Sequence, residues 1–112
     1  MPKLFKLHEI AQLNQMEAGA VVTLPIIGKN ETRKFVVRDI SYSAVGRGSW
    51  PSHVEKTPEI YVILQGSVVY DTGTEMFTVN AGEAIMFDIG DQHATRIDHG
   101  IISLGINLVE TH

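Results

Sequence analysis

The sequence predicts an all-β domain that folds as a sandwich or a small barrel. From residue 20 onward, short runs of strand-forming residues alternate with turn residues at the regular spacing typical of all-β folds. The 112 residues suit a single domain, which at this length buries roughly two thirds of its unfolded surface. Length and pattern together therefore predict one β domain with a core of its own.

The elements can be assigned in chain order. Residues 1–18 differ from the rest and predict an N-terminal arm or a short helix, with Leu7, Ile10 and Ala11 on one helical face. A β-barrel is predicted over residues 19–112. Its predicted strands cover residues 20–27, 34–43, 49–55, 60–70, 76–79, 84–89, 93–98 and 101–109. Glycine, asparagine, aspartate or proline separates them, at residues 28–30, 46–48, 57–58, 71–73, 80–82, 90–91 and 98–100.

The composition excludes several classes of function. The chain contains no cysteine, so disulfides, cysteine-ligated zinc sites and thiol catalysis are excluded. The formal net charge is −4 and the lysines and arginines are scattered, whereas nucleic-acid binding calls for a basic patch. No apolar run reaches the length of a membrane span, and the first residues lack the pattern of a signal peptide. We therefore expect a cytoplasmic protein that binds neither nucleic acid nor membranes.

Residues 60–64, Ile-Tyr-Val-Ile-Leu, are apolar at every position. A strand with one wet face alternates apolar and polar residues, so this run is expected to be covered on both faces. One face would see the interior of the barrel. The other would be covered either by a second copy of the chain, in a homodimer, or by the N-terminal segment.

A histidine and two glutamates lie close together in residues 53–59. His53 and Glu55 are two residues apart, so in a strand they point to the same side. Thr57-Pro58 then turns the chain, and an antiparallel return brings Glu59 near them. Two ionised carboxylates at close range repel unless one holds a proton or a cation sits between them, and His93 is the best candidate for a fourth group. The cluster is either a divalent metal site or a solvated polar turn at a strand edge.

Residues 46–66, which include this cluster, resemble the first motif of the cupin superfamily. That motif runs glycine, five residues, His-x-His, three or four residues, glutamate, six residues, glycine. Here His53-Val-Glu55 is followed by three residues, Glu59, six residues and Gly66. The opening glycine is matched only approximately, because Gly46 and Gly48 bracket its expected position. Glu55 stands where the family has its second histidine.

The second cupin motif is matched further along the chain. It runs glycine, five residues, Pro-x-Gly, two residues, histidine, three residues, asparagine. Here Gly82 is followed by five residues, then Asp88-Ile-Gly90, two residues and His93, with Ile97 at the asparagine position. Both motifs occur in order, which implies a small single-domain cupin. The implied fold is a conserved double-stranded β-helix, or jelly-roll barrel, with a pocket inside.

The resemblance places metal ligands at His53, Glu55, Glu59 and His93. Two histidines and two carboxylates leave a divalent ion with no net charge, and the added oxygen ligand makes the site harder. The implied cofactor is a divalent transition metal among manganese, iron, nickel and zinc, with manganese or iron favoured. Alternatively, the glutamate at position 55 indicates a cupin that no longer binds a metal.

Strand alternation extends the predicted site into a pocket. If Glu59 faces inward, so do Tyr61, Ile63 and Gln65. Tyr61 would then be a catalytic hydroxyl near the metal, as an orienting donor or an acid, or else a packed core residue. Further pocket residues are predicted nearby, at Phe87 and Thr95, and Trp50 is placed at the rim or in packing.

The resemblance implies three functions. The first is a metal-dependent enzyme on a small organic molecule, because small cupins are similar to dioxygenases, isomerases, cyclases and decarboxylases. The second is a non-catalytic module that binds or senses a small ligand or sugar. The third is metal-free acid–base catalysis by His53 or His93, similar to sugar epimerases built on the same barrel. A fold this widely used does not choose among them.

Overall fold

The computed structural model describes residues 2–6, 13–28 and 31–111. Within them the chain forms one short 3-10 helix, Leu13–Gln15, and eight strands. The strands are β1 (Lys3–Lys6), β2 (Lys34–Val45), β3 (Gly48–Val54), β4 (Glu59–Asp71), β5 (Met76–Asn80), β6 (Glu83–Phe87), β7 (Gln92–Ile97) and β8 (Ile101–Thr111). In this described part of the chain, no helix has the length and apolar character that crossing a bilayer requires.

The strands form two antiparallel sheets that share β4. Residues 59–66 of β4 pair with β6 and β8, which gives the first sheet the order β1-β6-β4-β8-β2. Residues 67–71 pair with β5 and β7, which gives the second sheet the order β5-β4-β7-β3. The result is the all-β jelly-roll fold that the sequence predicts.

Gly66 marks the point where β4 passes from one sheet to the other. Its φ angle is +84°, a conformation that residues with a side chain rarely adopt. A Cβ atom at this position would lie 2.3 Å from the carbonyl oxygen of Gly100. Backbone conformation and close approach both require glycine here, and this is the glycine that closes the first motif.

The core lies between the two sheets. Ile63, Val68, Val79, Ile85 and Phe87 are fully buried there. Tyr70, Ile97 and Ile101 complete the same apolar cluster. Close packing of these side chains fixes the spacing of the sheets and the direction of the side chains beside them.

A β-bulge in β4 changes which residues face inward. The register with β8 shifts between Ile63 and Gln65, so one extra residue is inserted there. Before the bulge the odd-numbered Ile63 is buried in the core, and after it the even-numbered Val68 and Tyr70 are. The prediction that Gln65 faces inward with Ile63 is therefore wrong: Gln65 is exposed.

The predicted strands after residue 33 all form, each with its ends within two residues of the prediction. The strand predicted over residues 20–27 is wrong, because that segment has no strand partner and Val21 is largely exposed. Pro25 contributes to this, since proline cannot donate to a sheet ladder. The four-residue β1 was not predicted. The helix proposed over residues 7–13 falls mostly outside the described residues, and the division of the chain at residue 18 stays a prediction.

Candidate metal centre

Three side chains of the predicted cluster come from two neighbouring strands. His53 near the end of β3 lies directly opposite His93 of β7 in their antiparallel pair, so both rings are on one face. Glu55 follows β3, and its backbone is held by the β6–β7 turn. Its N–H donates to the carbonyl of Asp91 at 2.9 Å, and its carbonyl accepts from the N–H of Gly90 at 2.9 Å. This turn therefore fixes Glu55 beside the two imidazoles.

The three side chains converge on one oxygen atom. Nε2 of His53 lies 2.8 Å from Oε1 of Glu55, and Nε2 of His93 lies 2.6 Å from the same oxygen. One ligand atom from each residue falls within 4.8 Å of the other two. The side chains of Glu55 and His93 are only 5% and 3% exposed, whereas that of His53 is 55% exposed. The cluster is thus buried on one side and open to solvent at His53.

This donor set fits a divalent transition metal. Two imidazole nitrogens and one carboxylate oxygen are the ligands of non-haem ferrous sites, and they also suit manganese or zinc. The Nε2–Oε1 separations of 2.8 and 2.6 Å are close to the about 3 Å between neighbouring ligands on an ion with bonds near 2.1 Å.

Aromatic side chains hold His93 in place. Its ring stacks on Phe87 with centroids 4.0 Å apart and planes at 16°. Tyr70 meets the same ring edge-on at 5.4 Å. Burial lowers the pKa of His93, and the Glu55 carboxylate opposes part of that effect. The environment therefore favours the neutral imidazole, which is the form that binds metals.

Glu59 lies next to the three converging groups but is not one of them. It opens β4, and its Oε2 accepts a hydrogen bond of 2.6 Å from the hydroxyl of Tyr61. Burial raises the pKa of Glu59; the Tyr61 hydrogen bond opposes the shift, and the nearby charge of Glu55 adds to it. Burial and Glu59 also raise the pKa of Tyr61, which keeps its hydroxyl protonated as a donor. The structure thus brings three of the four predicted ligands together, whereas the fourth, Glu59, is hydrogen-bonded to Tyr61.

A cavity of about 430 Å³ opens beside the cluster. His53, His93, Tyr61 and Thr95 lie on its wall, as does Trp50. Two other predicted pocket residues, Ile63 and Phe87, are fully buried in the core instead. Gln65 lines a separate surface depression near the β2–β3 turn. The bulge in β4 explains why Gln65 lies outside the cavity, because it reverses the direction of the side chains that follow it.

The opposite wall of the cavity was not anticipated from the sequence. It is formed by two cross-strand pairs of β2 and β8, Ser43 with Ser103 and Val45 with Ile101. Residues at these alternate positions share one face, which is the signal that could have identified them. That signal is weak here, because the opposite face of the same strands is also apolar.

Asp88, which stands where the family has a proline, forms a second polar cluster. Nη2 of Arg33 donates to Oδ1 of Asp88 at 2.9 Å and to Oε1 of Glu110 at 2.7 Å. The hydrogen bond from Arg33 lowers the pKa of Asp88. This cluster ties the segment before β2 to the turn after β6 and to the end of β8. It stabilises the turn that carries Gly90 and Asp91, the backbone partners of Glu55.

Comparisons with known proteins agree with this architecture. A cupin-2 domain protein of Shewanella frigidimarina shares 18% identity at a TM-score of 0.55, over 67% of this chain and 78% of that one. A cupin superfamily protein of Desulfitobacterium hafniense shares 16% identity at a TM-score of 0.54, over 75% and 84%. These identities show the fold alone.

A Salmonella typhimurium protein named for ethanolamine utilization, protein Q, shares 13% identity at a TM-score of 0.55. The match covers 61% of this chain but only 55% of that protein, so the chain spans little more than half of its length. No curated protein sequence matches the chain.

The profile of the cupin domain family Cupin_2 matches residues 42–100, which is more than half of the chain. The matched segment contains both motifs and all three converging side chains. The chain belongs to the cupin domain family.

Proposed function

We propose that this cupin binds a divalent metal ion and acts on a small organic molecule held in the cavity of about 430 Å³. The observation that carries the proposal is the convergence of His53, Glu55 and His93 within 4.8 Å at the cavity wall. Buried carboxylates need a counter-charge, and two neutral imidazoles do not supply one. A divalent ion would supply it, and the pocket beside it has the size and mixed polarity typical of small-molecule sites.

Each residue has a role in this proposal. His53, Glu55 and His93 would hold the ion, and Glu59 beside them would be a fourth ligand. Tyr61 holds the Glu59 carboxyl through its hydroxyl and keeps its own proton, so its role is to orient that carboxyl and to donate a hydrogen bond. The ion, when bound, supplies Lewis acidity toward a substrate oxygen. Manganese or iron is favoured over nickel or zinc, because the donor set contains carboxylate oxygen. Dioxygenase, isomerase, cyclase and decarboxylase chemistry all remain compatible with these roles.

Elemental analysis of the purified protein by mass spectrometry tests the metal. We expect near-stoichiometric metal in the parent and its loss in Glu55→Gln and His93→Ala. Matched controls are Glu75→Gln and His99→Ala, because both residues are exposed in turns away from the cluster. Absence of metal from the parent after reconstitution with manganese, iron, nickel and zinc would refute the proposal.

A second candidate is metal-free acid–base catalysis. It is favoured by the 2.6 Å contact between Nε2 of His93 and the Glu55 carboxylate, which is the arrangement of a base and the group that orients it. Turnover that survives stripping of the protein with EDTA would support this candidate against the metal-dependent one. A non-catalytic binding module would instead retain ligand binding in the stripped protein and show no turnover in either state.

We also propose a homodimer through the outer face of the first sheet. Ile40 and Tyr42 on the edge strand β2 are 61% and 70% exposed. They begin two rows that cross the sheet and are apolar at every position, Ile40-Ile106-Ile60-Met86 and Tyr42-Leu104-Val62-Ala84. Ile60 and Ala84 in these rows are already buried within the single chain, so the accessible part of the face lies on β2 and β8. This apolar part suits a symmetric contact with a second copy of itself.

Light scattering coupled to size-exclusion chromatography tests the dimer. The parent is expected at the mass of two chains, and a double variant with Ile40→Lys and Tyr42→Lys at the mass of one. Ile89→Lys, which changes an exposed isoleucine in the β6–β7 turn, is the control and should leave the mass unchanged. A parent protein that elutes as a single chain would contradict the dimer.

A further inference from the structure

The wall of the cavity is mostly apolar, and its polar groups are hydroxyls and the imidazoles of His53 and His93. Among the described residues that line it, none is a lysine, arginine, aspartate or glutamate. Six of them carry hydroxyl groups: Ser43, Ser52, Tyr61, Tyr70, Thr95 and Ser103. Hydroxyl groups donate and accept hydrogen bonds, so they match the oxygens of a neutral ligand. An anion that enters such a wall without a cationic partner loses hydration that nothing replaces, which weakens its binding.

Two cationic side chains close to the cavity in the sequence or in the fold, Arg96 and Arg33, are directed elsewhere. Arg96 on β7 lies between Thr95 and Ile97, both of which line the cavity, so strand alternation turns Arg96 to the other face. There its Nε pairs with Asp98 at 3.2 Å. Arg33 is bound by Asp88 and Glu110. Neither of these side chains lies on the cavity wall.

The metal cluster does not supply positive charge either. When both Glu55 and Glu59 bind the ion, as the proposed function has it, their two negative charges equal the charge of a divalent ion. Without the ion, neither carboxyl group carries positive charge in any protonation state. The inner end of the cavity is therefore neutral or negative, with or without metal.

The mouth of the cavity carries a fixed aromatic surface. The Trp50 ring lies against Gly48, where a Cβ would be 3.1 Å from Cη2 of the indole. The absence of a side chain at Gly48 thus lets the ring rest on the backbone. Trp50 is 43% exposed and also lines the cavity, so one part of the ring is available to a ligand. Val45, Ile97 and Ile101 supply further apolar surface to the cavity.

We propose that the ligand of this cavity is an uncharged molecule with a planar apolar ring that packs against Trp50. Its hydroxyl or carbonyl oxygens are held by the hydroxyl groups of the wall. This inference rests on the proposed function, because it takes the same cavity as the ligand site. It adds that carboxylate and phosphate compounds are excluded as ligands.

Two ring compounds of similar size test whether the cavity prefers an uncharged ligand to an anion. Para-hydroxyacetophenone and para-hydroxybenzoate differ only in an acetyl group in place of a carboxylate, so one is neutral and the other is an anion. Isothermal titration calorimetry would be run on protein stripped with EDTA and on protein loaded with Zn²⁺. We expect the neutral compound to bind at least about tenfold more tightly in both states.

The position of the ring can be read from the protein itself. Trp50 is the one tryptophan of the chain, so a nitrogen-15 correlation spectrum contains a single indole N–H signal. Para-hydroxyacetophenone should shift this signal, and Trp50→Leu should weaken its binding about tenfold. Tyr42→Leu changes an exposed aromatic residue on the outer face and should leave the affinity unchanged. Equal melting temperatures of the two variants would exclude a general loss of structure.

The outcomes separate this inference from the metal proposal. Equal or tighter binding of para-hydroxybenzoate, in either metal state, would overturn the inference and leave the metal content untouched. Failure of both compounds to bind, without a shift of the indole signal, would overturn it as well. If the parent protein binds no metal after reconstitution and still prefers the neutral compound, the metal proposal is refuted and the inference about the ligand is supported.

Discussion

Two polar clusters flank the turn between β6 and β7, and they balance charge in different ways. In the outer cluster, the Asp88 and Glu110 carboxylates share the guanidinium of Arg33, a cation that the chain provides. In the inner cluster, the buried Glu55 carboxylate contacts the imidazoles of His53 and His93 and has the Glu59 carboxyl nearby, but it has no lysine or arginine partner among the described residues. Imidazoles carry charge only when protonated, and burial lowers the pKa of His93. The outer cluster is complete within the protein, whereas the inner one depends on a proton or an added cation.

The largest effect is expected from Glu55→Gln. The amide keeps an oxygen that can accept from both imidazoles but removes the charge, so metal affinity should fall at least about 100-fold. Stability of the metal-free protein should stay equal or increase, because an uncompensated buried charge is removed. Metal titration and urea denaturation measure the two quantities. A metal-free variant clearly less stable than the parent would show that Glu55 serves the fold.

Metal binding itself should stabilise the parent. At a free-ion concentration a hundred times Kd, the gain in the free energy of unfolding is about 2.7 kcal/mol. This gain should vanish in Glu55→Gln and persist in Asp88→Asn, because only the inner cluster holds the ion. Thermal unfolding with and without manganese measures it. Loss of the gain in Asp88→Asn would mean that the two clusters act as one unit.

Phe87→Leu tests the support beneath His93. The change removes the ring that stacks on the imidazole at 4.0 Å. We expect a loss of about 1–2 kcal/mol in stability and about tenfold in metal affinity. Phe77→Leu, on β5, alters another partly buried phenylalanine packed against the core and should affect stability alone. Equal metal affinities for these two variants would show that Phe87 does not support metal binding by His93.

The smallest effect is expected from Asp88→Asn, and it depends on pH. The pKa of Asp88 is lower in the folded protein because of Arg33, so its contribution is present above the unfolded pKa of about 3.9. The contribution is lost as the pH falls through the folded pKa. The variant should be less stable than the parent at neutral pH, and the gap should close in acid. Asp98→Asn, in an exposed pair, is the control, and a gap that widens in acid would contradict the assignment.

The sequence predicted those parts of the fold that depend on local pattern. The strands after residue 33 were predictable because turn residues bound each one. The spacing of His53 and Glu55 placed those two side chains on one face, and His93 was predicted only as a fourth group near them. The direction of Gln65 was not predictable, because an inserted residue in β4 leaves no mark on the local pattern. The cavity wall formed by β2 and β8 was not predictable either. Both faces of those strands are apolar, so the sequence shows no alternation of polar and apolar residues that would tell the inner face from the outer one. Pairing between distant strands decided these points.

The sharing of β4 by both sheets has a consequence for how the protein opens. This strand has a neighbour on each side in both sheets, β6 and β8 in one, β5 and β7 in the other. Neither sheet can therefore separate without breaking the ladder of the other, and amide hydrogens along β4 should exchange with solvent only when the whole domain unfolds. The edge strands β1, β2, β3 and β5 should exchange earlier. Glu59, Tyr61 and Tyr70 thus lie on the strand that local opening exposes least, while His53 lies on one that frays.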